Sequence, residues 1–353
     1  MTRLATVFAL WKEGFNPAAG VIGLVLFLVP LVVLGALGWE RYYLTVSFAA
    51  VFAALSDPGG TFGYRMPRVA LVGVSGGVLT ALAFGVGQDA WGWVVLAAFG
   101  VTLLAGLAIK YGAHRFFAAY LINIWFIIAL ALPVQASANG TPVDAWKQGL
   151  AWLVGVAFWV VVSVVIWIAH GRRPLSQLMP EIPGDTSTVE LTRPKVLYAL
   201  IRALAVAIAA AVSFGFGLPN ADWMPIATIV AMKPNLDQAE FVAIQRLVGA
   251  ILGAAVATVF LLAVTNTHAL ELLIAVMGGV GGAIRQVNYA LYTAAIAAAV
   301  LIAEDLPNPT DLAAEGRRVV FTFIGVGIAV LVTLLANRLN ERSAATPSTT
   351  AAA

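Results

Sequence analysis

Twelve apolar runs, most of them about 20 residues long, follow one another along this chain and leave it few folds to adopt. A helix needs roughly 20 apolar residues to cross a hydrocarbon core of about 30 Å. Charged residues and Pro/Gly punctuation mark the runs off at 19–38, 42–55, 67–87, 91–109, 114–132 and 146–169. A second series falls at 196–217, 222–232, 245–265, 268–284, 287–303 and 316–337. A closed β-barrel is the other way to satisfy a backbone in lipid. It requires alternating apolar and polar residues, which these runs lack. Composition agrees: 61% of the 353 residues are hydrophobic and 10% are charged, against about 25% charged in a soluble domain. The expected fold class is an all-α integral membrane protein of twelve transmembrane helices.

The basic residues orient it. With the N-terminus inside, all but Arg41, Lys147, Arg317 and Arg318 of the 20 Lys and Arg fall on inner segments. Positive charge marks the cytoplasmic side, so both termini are expected in the cytoplasm. The outer connections are acidic, with Glu40, Asp89, Asp144, Asp222, Glu304, Asp305 and Asp311. Trp39, Trp91, Trp93, Trp146 and Trp223 suit an outer interfacial belt. The net charge of +3 therefore reads as topology and not as nucleic-acid binding. Residues 1–20 lack the plan of a cleavable signal, since Lys12, Glu13 and Pro17 interrupt them.

One offset carries Pro58 onto Pro234, Leu71-Val72-Gly73 onto Leu247-Val248-Gly249, and Gly77 onto Gly253. The chain is accordingly read as two parallel six-helix repeats, 1–170 and 196–338. A Pro-rich cytoplasmic linker (171–195) joins them, and a disordered tail (339–353) follows. An even number of spans per repeat sets the symmetry axis along the membrane normal. Gly73/Gly77 and Gly249/Gly253 are small-xxx-small steps, expected to let another helix approach closely. The Gly278–Gly282 run is read the same way, because no Gly-Lys-Ser/Thr follows it.

The second run of each half is short, about 14 and about 11 residues, which at about 1.5 Å per residue reaches only roughly 16–21 Å. Each ends in a breaker, Ser56-Asp57-Pro58-Gly59-Gly60 or Lys233-Pro234-Asn235. Paired broken segments at matching places are the best sequence pointer to a transport site. Candidate pathway residues are Asp57, Arg68, Lys233, Arg246, Asn123 and Arg285, with helix breaks at Pro58 and Pro234. Asp57 and Lys233 occupy matching places with opposite charge and could pair. Arginine's planar fork suits a carboxylate, so the basic cluster favours an organic anion. Snorkelling at cytoplasmic helix ends explains the same cluster. Asn123 lies mid-helix, where an amide needs a partner, and a neighbouring helix is the favoured one. Arg285, Gln286 and Asn288 read as a turn between two helices.

Enzyme chemistry finds no support. The chain has no Cys, and His114, His170 and His268 are scattered without metal-ligand spacing. No cofactor or metal is expected, and without a phosphate-binding loop this chain is not expected to use ATP.

The stretch ADWMPIATIVAMKPNLDQAEFVAIQRLVGAILGA resembles the fusaric acid resistance protein-like family of bacterial membrane proteins. The pattern is Trp223, an apolar helix ending at Pro234, a polar loop, then Arg246-Leu247-x-Gly249-x-x-x-Gly253. Asp57-Pro58, Arg68, Gly73 and Gly77 look like a weaker copy, and Glu315-Gly316-Arg317-Arg318 is also similar. That family is grouped with aromatic acid exporters and is distantly similar to aluminium-activated malate transporters. The resemblance implies a duplicated six-helix module that exports aromatic or other small organic acids across the bacterial inner membrane. A passive organic-anion channel and a non-transport scaffold are the alternatives. The expected partners are the lipid bilayer and a small organic anion. A homodimer and a periplasmic adaptor stay open, and nucleic acid is not expected.

Overall fold

A computed structural model describes residues 9–138, 143–178, 187–220, 222–232, 236–305 and 312–345. Each of the twelve apolar runs is a helix. They are α1 (Pro17–Leu37), α2 (Tyr43–Leu55), α3 (Phe62–Val86), α4 (Trp91–Leu107), α5 (Ala113–Ala138) and α6 (Ala145–Ala169). The second series is α7 (Arg193–Gly215), α8 (Trp223–Ala231), α9 (Leu236–Ala263), α10 (Thr267–Ile284), α11 (Tyr289–Asp305) and α12 (Leu312–Ala345). No strand occurs among the described residues, beyond a single bridge between Gly60 and Leu175.

Eight of the helices are long and apolar enough to cross a membrane, and Val248–Ala263 and Tyr289–Ala303 are shorter apolar stretches. Large apolar side chains such as Val32, Val78, Leu104, Val161 and Leu262 stand on the outer surface. That arrangement suits lipid as the surrounding solvent. This is a multi-pass helical membrane protein.

The two short helices differ from the rest. α2 has 13 residues and α8 has nine, and both are almost wholly buried. Neither needs a full bilayer length, because protein surrounds it. α2 packs on α6 and α8 on α12. At the first contact, a Cβ on Gly155 would strike the Val46 carbonyl; at the second, one on Gly325 would strike that of Met224.

Two further contacts join the halves of the chain: α1 packs on α10, and α4 on α7. At the first, a Cβ on Gly23 would lie 2.7 Å from the Gly278 carbonyl oxygen, and one on Gly282 would lie 2.6 Å from that of Ala19. The glycine run of α10 is thus a packing face filled by α1, as its sequence setting suggested. At the second, Gly106 meets Ala199 in the same way. The other small-residue steps face different neighbours. Gly73 and Gly77 lie on α6, against Val156 and Gly149, whereas Gly249 and Gly253 lie on α11, against Thr293 and Ala297.

The core of the first half is aromatic. Phe48 stacks on Trp125 at 5.3 Å between ring centroids, and Trp125 lies 5.5 Å from Trp152. The Trp125 indole N–H donates to Thr80 Oγ1 at 2.9 Å, so the polar edge of the ring is satisfied inside the bundle. Trp39, Trp91, Trp93 and Trp146 are exposed, but Trp223 is buried at the start of α8, where the expected belt position does not hold. Two boundaries also differ. α9 begins at Leu236, well before residue 245, because the polar stretch after Asn235 is rich in good helix formers. α12 runs to Ala345 through the start of the expected tail, since no Pro or Gly follows Gly327 before Pro347.

Candidate functional site

Asp57 sits just beyond α2, where Pro58 and two glycines stop the helix. Gly59 and Gly60 have φ of +68° and +91°, a region that side chains with a Cβ avoid. This turn is strapped by the start of the linker. Gly60 N donates to the Leu175 carbonyl at 2.7 Å, and Leu175 N returns a bond of 3.2 Å. A Cβ on Gly59 would sit 2.7 Å from Gln177 N and 2.8 Å from the Leu175 oxygen. Gly59→Ala is therefore expected to lower stability by about 2 kcal/mol, combining backbone strain with displacement of the strap. The midpoint of thermal unfolding of the detergent-solubilised protein measures it.

The reversal after α2 brings Arg65 of α3 back onto Asp57. Arg65 Nε donates to Asp57 Oδ1 at 2.8 Å and Nη2 to Oδ2 at 2.5 Å. The Trp159 indole N–H adds a bond to Oδ2 at 3.0 Å, and Gly59 N one to Oδ1 at 3.0 Å. Both charges are buried, so this pair is a sealed knot at the linker end of the bundle. Arg68 lies one turn further, stacked 3.6 Å over the Tyr64 ring and bonded to the Tyr64 carbonyl at 2.6 Å.

A cavity of about 80 Å³ opens at the same end, between α1, α2, α10 and α11. Leu26, Phe27, Val51 and Ile296 form its apolar walls; Asn16, Arg285, Gln286 and Tyr292 supply its polar groups. Arg285 stands 5.8 Å from the Tyr292 ring. The turn carrying it is fixed by the N-terminal segment: Trp11 N donates to the Val287 carbonyl at 3.0 Å, and Asn288 Nδ2 to that of Ala9 at 3.0 Å. Leu178 of the linker also reaches the cavity wall.

Asn123 is fully buried midway along α5. Thr102 of α4 donates to its Oδ1 at 3.2 Å, so a neighbouring helix supplies one partner. Its Nδ2 has none among the described residues. On α7 lies a residue that sequence reasoning passed over as a topology anchor. Arg202 has 0% exposure, and none of its three guanidinium nitrogens has a hydrogen-bond partner among the described residues. The rings of Tyr120 and Phe116 on α5 lie 5.0 and 5.9 Å from its central carbon. Such cation–π contacts are worth about 0.5–2 kcal/mol. The penalty for burying a charge is several kcal/mol, so the rings alone do not offset it. A signal was present in the sequence: Arg202 lies about 14 Å along its helix from Arg193, deeper than an end anchor.

Of the remaining predicted residues, Lys233 and Pro234 lie outside the described residues, as does the side chain of Arg246. The structure gives Asp57 a partner in Arg65, on its own half of the chain. On the opposite end of the bundle, Arg317 Nε donates to Asn220 Oδ1 at 3.2 Å, and Arg318 and Asp222 are both buried. Among the described residues no cluster of three His, Asp or Glu could hold a metal ion.

The helices define a multi-pass membrane protein with a small cavity at one end and a buried arginine inside. Residues 187–332, which span α7 and run into α12, match the family model described as fusaric acid resistance protein-like. No curated protein matches the chain. Nor does any solved structure.

Proposed function

We propose that the protein is a transporter that exports aromatic or other small organic acids across the bacterial inner membrane, with both termini in the cytoplasm. The cavity between α1, α2, α10 and α11 carries this reading. It offers one guanidinium, Arg285, two amides and a tyrosine above apolar walls. That is the chemistry a small amphipathic anion needs: a charged fork for the carboxylate and apolar surface for the remainder. The inner placement of this mouth rests on the distribution of Lys and Arg.

The transporter is also proposed to be a duplicated module with its axis along the membrane normal. Reciprocal packing supports this. The first helix of each half lies on the fourth helix of the other, α1 on α10 and α7 on α4. Within each half the second helix lies on the sixth. The offset that carries Pro58 onto Pro234 also carries Gly23 onto Ala199 and Gly106 onto Gly282, residues at the two seams.

Efflux tests the reading. Cells lacking their own exporters would express the protein and be preloaded with radiolabelled aromatic and dicarboxylic acids. Uphill efflux of one acid, abolished by an uncoupler, is expected. Efflux only down the gradient would replace the exporter with a channel. No efflux, from protein shown to be in the membrane, would overturn transport of these acids. Arg285→Gln is expected to lower the initial efflux rate by about tenfold or more, the worth of one charge-assisted bond.

A further inference from the structure

We propose that Arg202 binds the carboxylate of a flat organic acid inside the membrane, between the rings of Phe116 and Tyr120 and beside Asn123. The inference rests on the anion-transport reading above and adds an interior site on the opposite seam from the cavity.

Three observations converge on it. The Arg202 guanidinium is wholly buried, and none of its nitrogens has a hydrogen-bond partner among the described residues. A buried guanidinium without a partner calls for an anion. Its planar fork matches the two oxygens of a carboxylate. Second, the flanking groups suit the rest of such a ligand. Phe116, Tyr120 and Asn123 follow one another at helical spacing on one face of α5. The first two present rings within 6 Å of the guanidinium. The third presents an amide N–H with no partner among the described residues, while Thr102 holds its oxygen and fixes its orientation. Depth agrees: α5 and α7 both start at the linker end, and Asn123 and Arg202 each lie about 14–15 Å along their helices.

The third observation is positional. The offset that relates the halves carries Leu26, on the wall of the cavity, onto Arg202. It carries Phe116 onto Tyr292 and Tyr120 onto Ile296, both on that same wall. The two seams thus present related positions to their interiors. One is an apolar wall beneath Arg285 at the mouth. The other puts the cation inside, under aromatic rings. A carboxylate drawn to the Arg285 mouth and one held at Arg202 would be bound at different depths and at different seams.

The test uses the full chain, purified in detergent, with benzoate as probe. Titration calorimetry is expected to show benzoate binding, and no binding of uncharged benzamide. Arg202→Gln is expected to weaken benzoate binding at least tenfold, and Arg202→Lys to fall between the two, because a point charge lacks the fork. Binding unchanged in a well-folded Arg202→Gln protein, or absent from the wild type, would overturn the site. A second measurement needs no variant. Photolysis with 4-azidobenzoate is expected to label peptides of α4, α5 or α7; labelling confined to α1, α10 and α11 would overturn the proposal. Efflux separates this proposal from the one above. Binding that depends on Arg202 without efflux would keep the site and remove the transport reading. Efflux insensitive to Arg202→Gln would do the reverse.

Discussion

Asp57→Ala is expected to cost about 3–5 kcal/mol of stability, the usual penalty for removing one partner of a buried ion pair. The substitution strips Arg65 of both its charge-assisted bonds and leaves the guanidinium 2% exposed. It also removes the acceptor for the Trp159 indole and for Gly59 N. Four donors lose their partner at once, at the turn where α2 stops. Replacing both charges, as in Asp57→Leu with Arg65→Met, is expected to recover much of the loss, since an apolar pair of similar volume leaves no buried charge. Melting of the detergent-solubilised proteins, followed by size-exclusion chromatography, would rank the three. If the Asp57→Ala protein melts with the wild type, the knot does not hold the turn.

The second large effect is expected at the seam between α1 and α10. Gly23→Leu would drive a branched side chain into the backbone of Gly278, where even a Cβ stands 2.7 Å from the carbonyl oxygen. Backbone cannot swing aside as a side chain can, so the cost should reach or exceed the ~3 kcal/mol at the upper end for overpacking. Gly35→Leu is the matched control. It lies on the same helix, and nothing stands within 4 Å of a Cβ there. The expected result is monodisperse, heat-tolerant protein for Gly35→Leu, and aggregation or a sharply lower melting point for Gly23→Leu. Equal behaviour would mean that α1 is not held through this face.

Much of the architecture was legible because lipid makes demands that a sequence shows openly. Runs of apolar residues and their breakers located all twelve helices, including the two short ones, since Pro58 and Gly59 announce the end of α2 locally. The packing role of Gly278–Gly282 was legible for the same reason. Side-chain pairing was less so. Asp57 was set against Lys233 by position in the repeat, yet Arg65 is nearer in the chain and returns onto Asp57 after a turn of a few residues. Periodicity says which residues share a face, but not which partner that face meets. Arg202 was lost in the same gap. A basic residue two to three turns into a helix can snorkel, pair or stand alone, and only the neighbouring helices decide which. Trp223 was misplaced because its position at the start of a segment looked interfacial, whereas the segment itself is enclosed by protein.

The crossing of first and fourth helices between halves has a consequence for how the chain is made. The glycine face of α1 leaves the ribosome early, while its partner on α10 follows about 250 residues later. At about 5–20 residues per second that is a wait of roughly 13–50 s. Through that interval the nascent first half sits in the bilayer with one groove open to lipid or to the insertion machinery, and α4 likewise awaits α7. Closure of the first seam is therefore a late event of biogenesis, and a ribosome stalled between α7 and α10 would leave a half-assembled intermediate whose α1 remains accessible to proteases of the membrane.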